Sequence, residues 1–409
     1  MKVIAILAFW LFQSLWVHSQ DLSALEKLRI DPDAAMGGTV SQYIQGFRFI
    51  TFESAEKSAF GNIDQLEITD QYYLILDRET TSVLIFDKQG KLHARIDGKK
   101  ISPQHPVFYN FTYDKSTQLI AIDYLLSVFY FDLNGTLVKK QKRRFNQYYG
   151  TKTELGSKFT GYYNYSLAQP SSSKDSLAYE LMVLENGKLM TTYLPYTINR
   201  ALAEEQSAQN HTDFYPDGAS DSIVYYVRDY DYKVYRLTPH TLQGIYEFIF
   251  PLQYSLPPNF AIDSSYNLKR AQYCRTNKEI VYRLSNFFIK GDCIFFKLVN
   301  NSFSPLSYVY NTKTQSLVCI NKIVSDAFSY YLPVTDAEIG GVDFTNRGIL
   351  QFDGTNMYTA YSSLTLFAQM EATIKKKPKY PPELVAYFKD KKNYKGNPVL
   401  VQIQFKPLP

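Results

Sequence analysis

Histidine and cysteine are both scarce in this chain, five and three among 409 residues. His18 falls in an N-terminal apolar run, which leaves His93, His105, His211 and His240 for any imidazole chemistry. His93 and His240 lie in or beside turn sequences, and His105 is flanked by Gln104 and Pro106, so each reads as a surface residue rather than a base. Cys274, Cys293 and Cys319 show neither C-x-x-C nor paired-histidine spacing, which excludes the common structural zinc patterns. Three thiols allow one disulfide and leave one over. Cys293 and Cys319 fall in neighbouring expected strands and are the readier pair, with apolar packing and no bond as the equal reading. H-E-x-x-H, G-x-S-x-G, P-loop and dinucleotide fingerprints are all missing. The sequence therefore assigns no catalytic, cofactor-binding or metal-binding residue, implies no cofactor, and leaves the ligand-binding positions unknown.

Charge of one sign is lacking too. The formal net charge is +5, of which Lys2 supplies one, an ordinary solubility balance that gives no reason to expect a nucleic-acid partner. Two basic runs, KKQKRR at 139–144 and KKKPK at 375–379, lie next to expected strand ends and read as solvated surface, with acidic glycan or membrane contact as the minor alternative. Asp217/Asp221 and Asp229/Asp231 are the tightest carboxylate groupings. Neither fits an EF-hand loop, so they read as turn residues.

Long apolar runs are absent after the first. Lys2 followed by Val3–Val17 and then Val17-His18-Ser19 reads as a signal peptide over residues 1–19, since about fifteen apolar residues fall short of the ~20 a spanning helix needs. No cysteine follows the run, so lipid anchoring is not expected. The remaining chain, from residue 20, carries no candidate transmembrane segment and is expected in the periplasm or outside the cell.

What is abundant is aromatic: 35 Tyr and 28 Phe, residues that suit half-buried pleated surfaces. Helical periodicity is confined to Ser23–Arg29, Asn199–Gln206 and Pro382–Lys389. Hairpins recur instead. VLIFDKQGKLHARI (83–96) and VFYFDLNGTLVKKQ (128–141) share Val, Phe-Asp, Gly and Leu at the same offsets. Asp can bond its own backbone two residues on, and Gly supplies the positive φ of the return. Weaker relatives follow around Val183, Leu237 and Tyr310, each preceded by another strand candidate. A sheet unit returning roughly every 40 to 50 residues is the mark of propeller blades. At the far end, Val399, Val401, Ile403 and Phe405 alternate with Leu400, Gln402, Gln404 and Lys406, a half-buried strand. Its natural neighbour is the strand at Tyr43–Phe52. Pairing the two chain ends would close a ring and remove an open edge.

These stretches, with YDYKVYRLTPHTLQGIYEF (230–248), SYVYNTKTQSL (307–317), IGGVDFTNRG (339–348) and NPVLVQIQFK (397–406), resemble the secreted six-bladed β-propeller proteins of Bacteroidetes, of the NHL/TolB-like kind. The resemblance spans most of the chain. It departs at Asp97–Pro106, where relatives carry a glycine-rich segment, and in the missing lipobox cysteine. It implies an all-β fold, a six-bladed β-propeller over residues 20–409 with 20–42 as an N-terminal extension, and export; it supplies no site residues.

Two functions follow as expectations. The first is a non-enzymatic, monomeric binding propeller whose ligand is a glycan or a protein. The second is a lactonase-like hydrolase or lyase working at the channel mouth, which requires polar side chains converging there. Aromatic clusters at Tyr162, Tyr163 and Tyr165 and at Tyr225–Tyr235 could stack on a ligand, but cross-strand packing is the simpler reading.

Overall fold

In the computed structural model, residues 25–125, 127–142, 152–163, 178–206, 214–302, 306–335 and 348–408 are described. They form six sheets. Three strands come first: β1 (Glu26–Arg29), β2 (Met36–Thr39) and β3 (Ile44–Ile50). Sheet I holds β4 (Gln65–Ile68), β5 (Tyr72–Asp77), β6 (Ser82–Asp87) and β7 (Leu92–Asp97). Sheet II holds β8 (Phe111–Asp114), β9 (Leu119–Tyr124), β10 (Ser127–Phe131) and β11 (Leu137–Lys142). Sheet III holds β12 (Lys152–Leu155), β13 (Phe159–Tyr163), β14 (Ala178–Glu185) and β15 (Lys188–Tyr196). Sheet IV holds β16 (Phe214–Pro216), β17 (Val224–Tyr226), β18 (Lys233–Leu237) and β19 (Leu242–Ile249). Sheet V holds β20 (Arg283–Lys290), β21 (Cys293–Val299), β22 (Leu306–Asn311) and β23 (Leu317–Val324). Sheet VI holds β24 (Gln351–Phe352), β25 (Met357–Tyr361), β26 (Val399–Phe405) and, paired antiparallel to β26, the early strand β3.

The repeated hairpins have the chemistry their sequence predicts. Asp87 Oδ1 accepts the backbone N–H groups of Gln89 and Lys91 at 3.0 and 2.8 Å, and Gly90 takes φ +80°. Asp132 Oδ1 does the same for Asn134 and Thr136 at 3.0 and 2.8 Å, with Gly135 at φ +73°. Both hairpins carry a register shift just inside the turn, at Ile85/Phe86 and at Tyr130/Phe131. The extra residue is accommodated as a bulge, which adds to the strand twist.

Apolar faces join the sheets in chain order. Leu74 and Ile85 of sheet I pack with Ile120 and Phe129 of sheet II. Leu181 and Val183 of III pack with Val224 and Tyr235 of IV. One large core unites Val234 and Phe248 of IV, Phe295 and Val309 of V, and Met357 and Val401 of VI. Leu400 and Tyr358 of VI then pack against Ile75 and Phe86 of I. Sheets II and III meet through an ion pair, Lys152 Nζ to Asp123 Oδ2 at 3.7 Å.

Among the described residues six α-helices lie in the connections: α1 (Val40–Tyr43), α2 (Gly98–Ile101), α3 (Ile198–Gln206), α4 (Arg270–Thr276), α5 (Ser363–Thr373) and α6 (Pro382–Lys389). The expected helices at 199–206 and 382–389 are present. The one expected at 23–29 is not: Glu26–Arg29 is β1, added parallel to β19. Only Leu28 of this strand is deeply buried, and the backbone bonds to the open edge of sheet IV outweigh the weak helical pattern. β2 likewise adds parallel to β23 of sheet V. Of the two cysteine readings, apolar packing without a bond is the one the structure shows. No disulfide joins Cys274, Cys293 or Cys319, and all three are buried; β22 separates Cys293 on β21 from Cys319 on β23, where Cys293 faces Asn311 and Cys319 faces Tyr308.

Candidate functional site

In each four-stranded antiparallel sheet, the turns joining strands one to two and three to four leave from one end. The remaining connections leave from the other. The first-hairpin turns of several sheets meet. Lys115 Nζ, in the β8–β9 turn, lies 2.6 Å from Asp221 Oδ1 in the β16–β17 loop. Gly156 N–H, in the β12–β13 turn, donates to the Asp221 carbonyl at 2.7 Å. Gly218 of the same loop packs on Gly354 of the β24–β25 turn so tightly that a Cβ on either would overlap the other's backbone. Lys290, at the end of β20, donates to the Thr355 carbonyl at 2.8 Å.

Glu67 on β4 belongs to this group electrostatically. Burial pushes its carboxyl up to about 7, Lys115 opposes the rise and Asp221 adds to it. Glu154 on β12 is also raised by burial, against Lys152. Asp114 goes the other way: burial would raise it, but hydrogen bonds from Ser116 and Thr117 outweigh that and hold it below the usual carboxylate range. A carboxyl titrating near neutrality beside an ion pair can give or take a proton, the property asked of a general acid or base. Among the described residues no group of three or more His, Cys, Asp or Glu is placed to hold a metal.

The three described histidines make other contacts. His93 Nε2 lies 3.0 Å from Asn134 Oδ1 and its ring tilts over Tyr72. His240 meets Phe159 edge-on, and the His105 carbonyl accepts from the Tyr124 hydroxyl at 2.8 Å. His211 lies outside the described residues. Asp217 is the turn residue its spacing suggests, accepting the Ala219 N–H at 2.7 Å and the Tyr225 hydroxyl at 2.7 Å.

The turn reading is incomplete for Asp229 and Asp231. Asp231 Oδ1 does accept the Lys233 N–H, but Oδ2 accepts from Arg228 Nε at 2.6 Å. Arg228 also donates to Glu180 at 2.9 Å, Tyr226 donates its hydroxyl to Glu180 at 2.7 Å, and Arg200 lies 3.8 Å from the same carboxylate. Buried Asp229 faces Arg283 at 3.7 Å. These charges pin α3, the β17–β18 loop and the start of β20 together. A buried network of this kind fixes geometry more than it adds stability.

Most of the aromatic load is packing. Tyr225 meets Phe287 edge-on at 5.4 Å, Phe248 meets Phe296 at 4.9 Å, and Tyr226 faces Tyr235 at 6.3 Å. The side chains of Tyr162, Tyr163 and Tyr165 lie outside the described residues. Tyr232 braces the long 250–282 connection: its hydroxyl donates to the Val281 carbonyl and accepts the Leu256 N–H, each at 2.7 Å.

The opposite end of the sheets is built differently. The connections leaving there hold α2 to α6 and the 250–282 segment, and among the described residues every exposed large apolar side chain outside a strand belongs to one of them. Tyr109, Leu125, Ile198, Leu252, Leu268 and Ile374 are examples, with Leu252 and Leu268 at 91 % and 82 % exposure. The Asn267 side-chain amide donates to Asn199 Oδ1 at 3.1 Å, tying the neighbours Leu268 and Ile198 into one region. Sequence reasoning missed this pattern and missed Glu67. An exposed leucine in a loop and a glutamate in an alternating strand carry no local signature, and only the assembled sheets show which end each occupies.

A family model described as a domain of unknown function, DUF4934, matches residues 28–404. No curated protein matches the sequence. Among solved structures, a presumed exported protein from Bacteroides fragilis is similar at 12 % identity, covering 93 % of this chain and all of that one with a TM-score of 0.66, which shows a shared fold. A member of the DUF4221 family from Bacteroides vulgatus aligns over 89 % of this chain and 97 % of its own at 9 % identity and a TM-score of 0.48. No helix among the described residues is long and apolar enough to cross a membrane.

Proposed function

This chain belongs to the DUF4934 family, and we propose that it is an exported, non-enzymatic six-bladed β-propeller that binds a glycan or protein partner. Six sheets packed in succession, with β3 paired to β26 and sheet VI against sheet I, support a closed ring. In this reading residues 1–19 are removed and 20–409 form one monomeric domain in the periplasm or outside the cell. The extension over 20–42 caps two blades with β1 and β2. The observation that supports the binding role is that the exposed loop hydrophobics among the described residues all belong to the connections opposite the first-hairpin turns, with Ile198 and Leu268 brought together by the Asn267–Asn199 bond. Loops on a rigid scaffold are where recognition residues concentrate, and clustered exposed apolar side chains mark interaction surfaces.

The test is a glycan array and a secretome pull-down with residues 20–409, alongside an Ile198→Glu/Leu268→Glu variant. The expected result is a defined binder that the variant loses. A protein that captures nothing, or a binder indifferent to the variant, overturns the reading.

A second reading is favoured by one observation, the Glu67 carboxyl raised to about 7 beside Lys115 and Asp221. It is a hydrolase or lyase at the mouth of the ring, with Glu67 moving the proton. Turnover in a panel of lactones and uronate glycosides that follows one ionisation near 7 and disappears in Glu67→Gln would select it over the binding role.

A further inference from the structure

Each sheet of this protein ends in an outer strand, and the outer edges are guarded in different ways. Sheets IV and V accept an extra parallel strand from the chain itself, β1 on β19 and β2 on β23. In sheet I the segment after β3 covers β7: the Leu92 N–H donates to Glu53 at 3.1 Å, the Glu53 N–H donates to the Gly90 carbonyl at 2.8 Å, and Arg95 donates to the Lys57 and Ala59 carbonyls at 3.1 and 3.2 Å. The outer strand of sheet III, β15, carries Pro195, which interrupts edge pairing. In sheet VI the rings of Phe328 and Tyr330 pack on Phe47 of β3.

Sheet II is the exception. All six residues of β11, LVKKQK, are exposed, and among the described residues no strand pairs with its outer edge. It presents Leu137 and Val138 at 50 % and 54 % exposure beside Lys139, Lys140 and Lys142. Lys139 lies over the Tyr130 ring at 4.2 Å and Lys140 over Phe129 at 4.8 Å, so both ammonium groups are held against the sheet.

We infer that β11 is a docking edge for an acidic, extended polypeptide segment, which adds to sheet II as a fifth strand in the way β1 and β2 add to sheets IV and V. The backbone edge supplies pairing groups and the lysines supply charge complementarity. A second copy of this chain is the wrong occupant, because edge-to-edge pairing would set lysine against lysine. The competing account is that the lysines merely guard the edge against association; it predicts no uptake of any strand. This surface is distinct from the connection end, so the inference goes beyond the reading given above and does not depend on it.

The probe is a fluorescent eight-residue peptide of alternating valine and glutamate, which places its glutamates on one face to meet Lys140 and Lys142. Anisotropy with residues 20–409 is expected to show saturable binding that weakens with salt. A fully N-methylated version of the peptide should lose it, and a Lys140→Glu/Lys142→Glu protein should weaken it at least tenfold. The Ile198→Glu/Leu268→Glu protein should bind the peptide as the parent does, which separates this edge from the connection end. No saturable binding, equal binding of the N-methylated peptide, or retention of a polyuronate while the peptide is ignored would each overturn the inference. Both doubly substituted proteins change only exposed side chains, and circular dichroism confirms that they fold.

Discussion

Asn397 stands two residues before the first residue of β26 and is 3 % exposed. Its Oδ1 accepts the Phe60 N–H at 2.9 Å, and its Nδ2 donates to the Glu53 and Ser58 carbonyls at 2.8 and 2.9 Å. One side chain thus fastens the start of the last strand to the 53–60 segment that leads from sheet VI into sheet I. Asn397→Ala removes three hydrogen bonds, each worth about 1 kcal/mol net, and leaves buried backbone groups unpaired at a further ~1–3 kcal/mol each where water cannot replace the partner. With water replacing the partner at all but one of the three groups, the expected loss is about 4 to 6 kcal/mol. Asn397→Asp tests the mechanism, because it keeps the size and the acceptor but turns an oxygen toward two carbonyls. It should cost at least as much as alanine at pH 7. Both tryptophans, Trp10 and Trp16, precede residue 20, so the assay is urea unfolding of residues 20–409 followed by circular dichroism, with stability from linear extrapolation. A loss under about 1 kcal/mol for alanine, or a tolerated aspartate, would refute the reasoning.

Three further outcomes are expected. Glu67 has a folded-state pKa raised from 4.5 to about 7, so its contribution is fully present below pH 4.5 and is lost as pH rises through 7; Glu67→Gln should flatten the fall in unfolding free energy between pH 5 and 8, read from urea titrations, by an amount on the order of 3 kcal/mol. An unchanged pH profile would contradict the burial of that carboxyl. Gly90 has φ +80° and an added Cβ would collide with the Thr51 carbonyl, so Gly90→Ala should destabilise by about 1–3 kcal/mol, where full thermal stability would contradict the geometry. The thiols of Cys274, Cys293 and Cys319 are buried, with Cys274 pushed up to about 12 by burial; a thiol reagent should titrate none in native protein and three in urea, and two or fewer in urea under non-reducing conditions would reveal a disulfide.

Much of the architecture was legible because it is written locally. Asp87 and Gly90 specify their turn through bonds spanning two to four residues, and the same spacing recurs at Asp132 and Gly135. Period-two alternation in 399–405 called for a partner strand, and Ile50 opposite Leu400 and Phe47 opposite Ile403 supply it. Where the local signal was weak, tertiary pairing decided. Glu26–Arg29 has an acceptable helical pattern, yet the unpaired edge of β19 takes it as a strand.

Hairpins, their return along the chain and a chain-end strand in need of a neighbour are all encoded locally, because turn chemistry and side-chain alternation act over a few residues. Chain folding is what sets β22 between Cys293 and Cys319, brings Asp229 and Asp231 into a buried network of arginines, and puts Glu67 under the field of Lys115 and Asp221. It also decided which outer strand was left uncovered. Burial, electrostatic proximity and edge exposure are properties of residues far apart in the chain, and no spacing in the sequence encodes them.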